Sequence, residues 1–85
     1  MHTIFMLVVL AVILVVTGRG NDFDRGYQAG MAGKHDVAAA YYTKALREGA
    51  LSRENKARAL NNRAIAFMLM GQVGRAMTDL DAAVM

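Results

Sequence analysis

The chain has 85 residues, ten basic and seven acidic side chains for a formal net charge of +3, and neither cysteine nor proline. A chain of this length makes one small domain that buries only about 60–65% of its unfolded surface, and without cysteine it has no disulfide, no thiolate zinc site and no lipidated-cysteine anchor. The basic excess is modest and lacks the clusters with interleaved aromatics that mark a nucleic-acid footprint, so no nucleic-acid partner is expected.

The first element is Ile4–Val16, IFMLVVLAVILVV, thirteen apolar residues without a charge. As a helix this run reaches about 20 Å, short of the ~30 Å hydrocarbon core of a bilayer. Runs of this size at an amino terminus are commonly the apolar part of a secretory signal. Val16–Gly18 offers small residues for cleavage, although only the terminal amine and His2 stand in front, with no Lys or Arg. The rival is a short retained anchor: Arg19 and Arg25 follow the run, and the positive-inside bias would hold the remainder in the cytoplasm. Residues 1–18 are thus expected to be a signal peptide or short membrane anchor, and export to the periplasm or anchoring with a cytoplasmic domain follows accordingly. Residues 19–22 form a linker within the glycine-rich, polar stretch TGRGND.

Residues 23–85 form the working domain, which is expected to be all-α. After residue 25 the composition is dominated by Ala, Leu, Met, Arg and Lys, all strong helix formers. The first helix is expected over about Asp22–Ala32, with Asp22 as its N-cap and Gly33 supplying the left-handed residue at its end. It carries Gly26 and Gly30 in its interior, each costing about 1 kcal/mol against alanine. The second runs over about Asp36–Glu48 and is closed by Gly49. A third follows over about Ser52–Met70, with Ser52 as N-cap and Gly71 at its end, and a fourth over about Gln72–Val84.

These elements repeat. A shift of 38 residues brings Gly33 onto Gly71, Ala38 onto Ala76, Ala45 onto Ala83 and Leu46 onto Val84, and upstream Arg25 onto Arg63, Gly26 onto Ala64 and Ala29 onto Phe67. Small residues mostly meet small residues, as close helix packing requires. Ala38, Tyr42, Ala45 and Leu46 share one face of the second helix, and Ala76, Leu80, Ala83 and Val84 share one face of the fourth. Two stacked hairpins, about 20–49 and 52–85, are expected because neither can bury its apolar face alone.

The order of a small residue, a turn glycine, an early alanine, an aromatic or leucine, and a closing Ala-Leu pair resembles the tetratricopeptide repeat. Gly26, Gly33, Ala38, Tyr42, Ala45 and Leu46 carry it in the first unit, and Leu60, Ala64, Phe67, Gly71, Ala76, Leu80, Ala83 and Val84 in the second. The resemblance covers about residues 20–85 and implies a short α-solenoid that binds partners. Two departures stand out: Ala50 occupies the place of the usual proline, and the period is 38 where the family has 34, with four extra residues around Glu48–Arg53.

Catalytic chemistry is not expected. The chain has two histidines, and Ser52 is its single serine. His35 reads as a solvated turn residue or helix cap. Asp79 and Asp81, two apart on a helix, diverge. The glycines between Gly18 and Gly33 follow no strand and precede no Lys-Ser/Thr pair, so they make no phosphate loop. No metal and no cofactor is implied.

What remains is a surface. In the resembled family the first helices line a concave groove that holds peptide segments, which implies Phe23, Tyr27 and Met31 in the first unit and Arg58, Asn61, Asn62, Ile65 and Leu69 in the second. Asn62 stands where some members place an asparagine that clamps a partner's terminal carboxylate; where those members have a lysine and a second asparagine, this chain has Phe23 and Tyr27. Arg47, Arg53, Lys56, Arg58 and Arg63 make the region between the hairpins mildly basic. On the last helix Met77, Leu80 and Val84 form an apolar face with no following hairpin, where a longer array, a second copy or a capping partner would sit. The resemblance extends to small exported bacterial members of the family, and implies a scaffold or adaptor bound to a protein or peptide partner.

Overall fold

A computed structural model describes residues 21–84 of the chain. They form four helices and, among the described residues, no strand: α1 (Asp22–Met31), α2 (His35–Glu48), α3 (Arg53–Leu69) and α4 (Val73–Ala83). The expected bounds hold to within one residue at every end. The apolar run Ile4–Val16, the cleavage region and the linker as far as Gly20 lie outside the described residues. No helix among those described is long and apolar enough to cross a membrane.

The 38-residue repeat reappears as identical backbone turns. At the end of α1, Gly33 N–H donates to the Gly30 carbonyl at 3.0 Å and Lys34 N–H to the Ala29 carbonyl at 2.9 Å. At the end of α3, Gly71 N–H donates to Met68 at 3.0 Å and Gln72 N–H to Phe67 at 2.8 Å, each partner 38 residues farther on. This paired bonding closes the orphan carbonyls of a helix end and needs a left-handed residue between the donors. Gly33 and Gly71 supply it at φ 78° and 77°.

The helix starts differ from expectation at one place. Ser52 caps α3 as expected, its hydroxyl oxygen accepting from Asn55 N–H at 3.1 Å. Asp22, however, is not the N-cap of α1; Asn21 holds that position and Asp22 is the first helical residue. Its buried carboxylate turns toward α2, 3.8 Å from Lys44 Nζ. Negative charge in the first turn still suits the positive end of the helix dipole, so the aspartate stabilises the start of α1 by charge and not by capping.

Each helix packs on the next in the chain, while α1 and α3 barely touch. Among the described residues, eight of the ten buried apolar ones are alanines, and the other two are Tyr42 and Leu60. Alanine faces let helix backbones approach closely, and they leave the packing energy to the few large side chains between them. Tyr42 centres one cluster with Ala29, Ala38 and Ala59, bordered by Phe23, Leu46 and Leu51.

Gly26 makes room for Tyr42. A methyl group at Gly26 would lie 2.9 Å from Tyr42 Cε1, closer than real side chains approach. Thus one interior glycine of α1 admits an aromatic ring between the two helices of the first hairpin. By the repeat register the corresponding pair in the second hairpin is Ala64 with Leu80: a larger small residue opposite a smaller large one.

A bidentate ion pair locks the second hairpin. Arg63 on α3 donates from Nε and Nη2 to the two carboxylate oxygens of Asp79 on α4, both at 2.7 Å. Arg63 Nη1 also reaches Thr43 Oγ1 on α2 at 3.1 Å. The guanidinium carbons of Arg63 and Arg75 lie 5.6 and 5.7 Å from the Phe67 ring centroid. One arginine therefore ties together α2, α3 and α4.

Candidate functional site

Because α1 and α3 stand apart, a trough of about 190 Å³ opens between them. Its walls are Tyr27 and Met31 from α1 and Ile65 and Leu69 from α3. The floor is formed by Gly30, Ala38, Tyr42 and Ala66, with His35 at the edge and Asn62 beneath. The four wall residues are exposed, Tyr27 at 52%, Met31 at 74%, Ile65 at 50% and Leu69 at 61%. An isolated exposed apolar side chain is common on a protein surface; here four stand together on the facing walls of one trough.

The walls follow from the repeat. Tyr27 and Ile65 are 38 residues apart, as are Met31 and Leu69. Each pair forms one rung across the trough, and the four-residue step between rungs is one helical turn, about 6 Å of rise. Turn-to-turn spacing on α1 and the duplicated hairpin together place the second rung in line with the first.

The polar atoms beneath are committed to each other. Asn62 Nδ2 donates to Tyr42 Oη at 3.4 Å, a long bond. Burial pushes the Tyr42 phenol above its ordinary value, a rise that the Asn62 bond opposes and the nearby Tyr27 hydroxyl adds to. No Lys, Arg, Asp or Glu lines the trough, so its chemistry is apolar contact with a small hydrogen-bonding floor. Among the described residues, no group of three His, Asp or Glu side chains is placed to hold a metal ion.

Of the expected groove residues, the structure brings Tyr27, Met31, Asn62, Ile65 and Leu69 together. Phe23 does not line the trough; it packs edge-to-face on Tyr42 with centroids 5.7 Å apart, one helical turn before Tyr27. Arg58 points away and pairs with Glu54 at 2.8 Å within α3. Asn61 is exposed and does not line the trough. His35, read as a solvated turn residue, is half-buried at the trough's edge. Its signal was positional: it opens α2 directly after the turn that follows Met31.

The basic region between the hairpins is also smaller than its composition suggests, because Arg63 is consumed by Asp79 and Arg58 by Glu54. Arg53 and Lys56 instead flank a shallow depression with Leu60 and Val84. On the last helix, Met77 and Val84 are exposed, Val84 at 86%. Leu80 is half-buried, so the face expected from Met77, Leu80 and Val84 is narrower than the sequence implied: Leu80 occupies the register position of Tyr42, between the helices of its hairpin.

A carboxylate pair lies where the start of α1 meets the end of α2. Glu48 at the end of α2 is raised above its ordinary value, first by a hydrogen bond with Asp22, then by burial and the Asp22 charge, against the attraction of Lys44.

No protein-family model matches the chain, and no curated protein and no solved structure matches it.

Proposed function

We propose that this protein is a non-catalytic interaction module of tetratricopeptide type, a short α-solenoid whose trough between α1 and α3 holds a segment of a protein partner. The observation that carries this reading is the trough itself: two register-related apolar rungs, Tyr27–Ile65 and Met31–Leu69, exposed on helices that correspond to the groove-lining helices of that family. The repeated turn bonding at Gly33 and Gly71 supports the same relationship, because it sets the two hairpins in equivalent conformations.

The setting proposed for this module is the bacterial cell envelope. The apolar run Ile4–Val16 motivates it, acting as a cleaved signal that delivers residues 19–85 to the periplasm. A second reading is favoured by Arg19 and Arg25 after that run: a membrane-anchored assembly subunit with its helical domain in the cytoplasm. Amino-terminal sequencing of the protein from fractionated cells separates them, since a new terminus between Val16 and Asn21 supports export and an intact terminus in the membrane fraction supports the anchor. Self-association through Met77 and Val84 is a further possibility under either reading, and light scattering of the purified chain reports it.

The interaction role itself is tested by photo-crosslinking in cells. A crosslinking amino acid at Met31 is expected to trap a specific partner, and the same group at Arg58, outside the trough, is expected to trap none. Equal labelling at both positions, or none at Met31, would overturn the reading.

A further inference from the structure

We infer that the trough takes an extended peptide segment bearing two uncharged apolar side chains two residues apart, and that it does not recognise a terminal carboxylate. The inference rests on the interaction reading above and names the class of segment that the site accepts. Three observations lead to it: size, spacing and charge.

A trough of about 190 Å³ exceeds the ~150 Å³ of an apolar cavity that binds benzene, so it has room for the side chains of a ligand whose backbone lies over it. A helix lying there would present i and i+4 side chains about 6 Å apart, but its backbone groups are paired internally, whereas an extended segment has free backbone groups to meet the polar floor at Asn62 and Tyr42. The rungs are about 6 Å apart, one turn of α1 and α3. In an extended strand, residues i and i+2 point to the same side and lie about 6.6–6.8 Å apart. A strand laid along the trough can therefore place one side chain at Tyr27–Ile65 and the next at Met31–Leu69, while the intervening residue faces solvent. Met31 suits such a role, because an unbranched thioether adapts to side chains of different shape.

The charge pattern selects against the alternative ligand. A carboxylate needs a cation or several converging N–H donors to replace its water. None of the residues lining the trough is Lys or Arg, and one amide proton of Asn62 is directed to Tyr42 Oη. The other polar valences of Asn62 can meet a peptide backbone, which is neutral. An acidic or basic side chain entering between Met31 and Leu69 would lose hydration with only the single imidazole of His35, at the trough's edge, beside it.

The test is selection from a display library of random ten-residue segments, shown both internally and with free carboxyl ends, against the full chain held in lipid nanodiscs. Enriched segments are expected to carry apolar residues at i and i+2 in both formats. A synthetic consensus peptide with blocked ends is then followed by fluorescence anisotropy. Its affinity should change less than about twofold between low and high salt, because no charge pair is screened. Replacing either apolar residue by Glu should weaken it at least tenfold, on the order of 1.4 kcal/mol or more. Leu69→Glu and, from the opposite wall, Met31→Lys should each do the same; both positions are exposed, and helix content by circular dichroism confirms that the fold is kept. Enrichment confined to free carboxyl ends, a consensus with charges at the two positions, or binding indifferent to both variants would overturn the inference while leaving an interaction module in place. No enrichment in either format would overturn the interaction reading itself.

Discussion

Removing Asp79 should test whether one arginine holds the second hairpin to the first. In Asp79→Ala the two 2.7 Å bonds from Arg63 are lost, and the guanidinium is left with Thr43 and the Phe67 ring. The side chains of Arg63 and Asp79 are 19% and 5% exposed, so water replaces the lost carboxylate only in part. Breaking a buried pair by deleting one partner costs about 3–5 kcal/mol, and the residual exposure of Arg63 argues for about 3. Residues 21–84 should have a total stability of about 3–10 kcal/mol at typical values per residue. The variant thus loses between a third and all of its stability. With a urea slope of about 1 kcal/mol/M for a domain this small, the midpoint should fall by about 3 M, or the variant should be unfolded without denaturant. The double variant Arg63→Met with Asp79→Leu leaves no unpaired charge and fills similar volume, and it should return to within about 1–2 kcal/mol of the parent. Far-ultraviolet circular dichroism followed through urea titrations of both singles and the double gives the coupling. A loss below about 1 kcal/mol in Asp79→Ala, or a double variant as unstable as the sum of the singles, would show that the pair is a surface contact and the reasoning fails.

Gly26→Ala should destabilise the protein by up to about 2 kcal/mol in thermal melts, since overpacking of about 1–3 kcal/mol against the buried Tyr42 ring is offset by the ~1 kcal/mol gained in helix propensity; adding Tyr42→Leu, which copies the Ala64–Leu80 pair of the second hairpin, should recover part of that loss. Tyr42 should ionise above the ordinary tyrosine value of 10.0 in an alkaline titration of tyrosinate absorbance, with Tyr42→Phe identifying its step. Its folded pKa is raised, so its contribution to stability is complete below the unfolded value of 10.0 and is lost as pH climbs through the folded one. Glu48→Gln should raise the melting temperature at neutral pH, because Glu48 is also raised by its contact with Asp22 and its charge is unfavourable there. The sign follows from the same linkage: the raised group favours the folded state below its unfolded pKa of 4.5, so the advantage of glutamine should vanish once acid protonates Glu48.

Much of the fold was legible because its signals are local. Glycine at the ends of α1 and α3, serine before α3 and alanines at three- and four-residue spacing each act within one or two turns, and the helices fell where those residues placed them. What the sequence hid depends on contacts between elements. Asp22 has the side chain of an N-cap, yet Lys44 on another helix draws it into a different role. Phe23 and Tyr27 are one turn apart and both aromatic, but only the first meets the Tyr42 ring of the next helix edge-to-face. Arg63 looked like one of five cations around a turn, because its partner Asp79 is sixteen residues away on the next helix.

The repeat separates what is shared from what is particular to this chain. Its backbone is duplicated faithfully: the turn bonds at Gly33 and Gly71 correspond atom for atom. Its cores are not, for the first hairpin is closed by Gly26 with Tyr42 and the second by Ala64 with a half-buried Leu80, helped by the Arg63–Asp79 lock. Duplicated geometry with different interiors is expected if the backbone repeat serves to align one surface and the interiors need only fill their own space. The trough is where that alignment has a visible consequence. Tyr27 with Ile65 and Met31 with Leu69 are the register-related pairs that stay apolar although all four are exposed to water. Exposed apolar side chains cost solubility and contribute nothing to the core. On the proposed function a ligand covers them, and an extended segment with the matching two-residue spacing would cover both rungs at once.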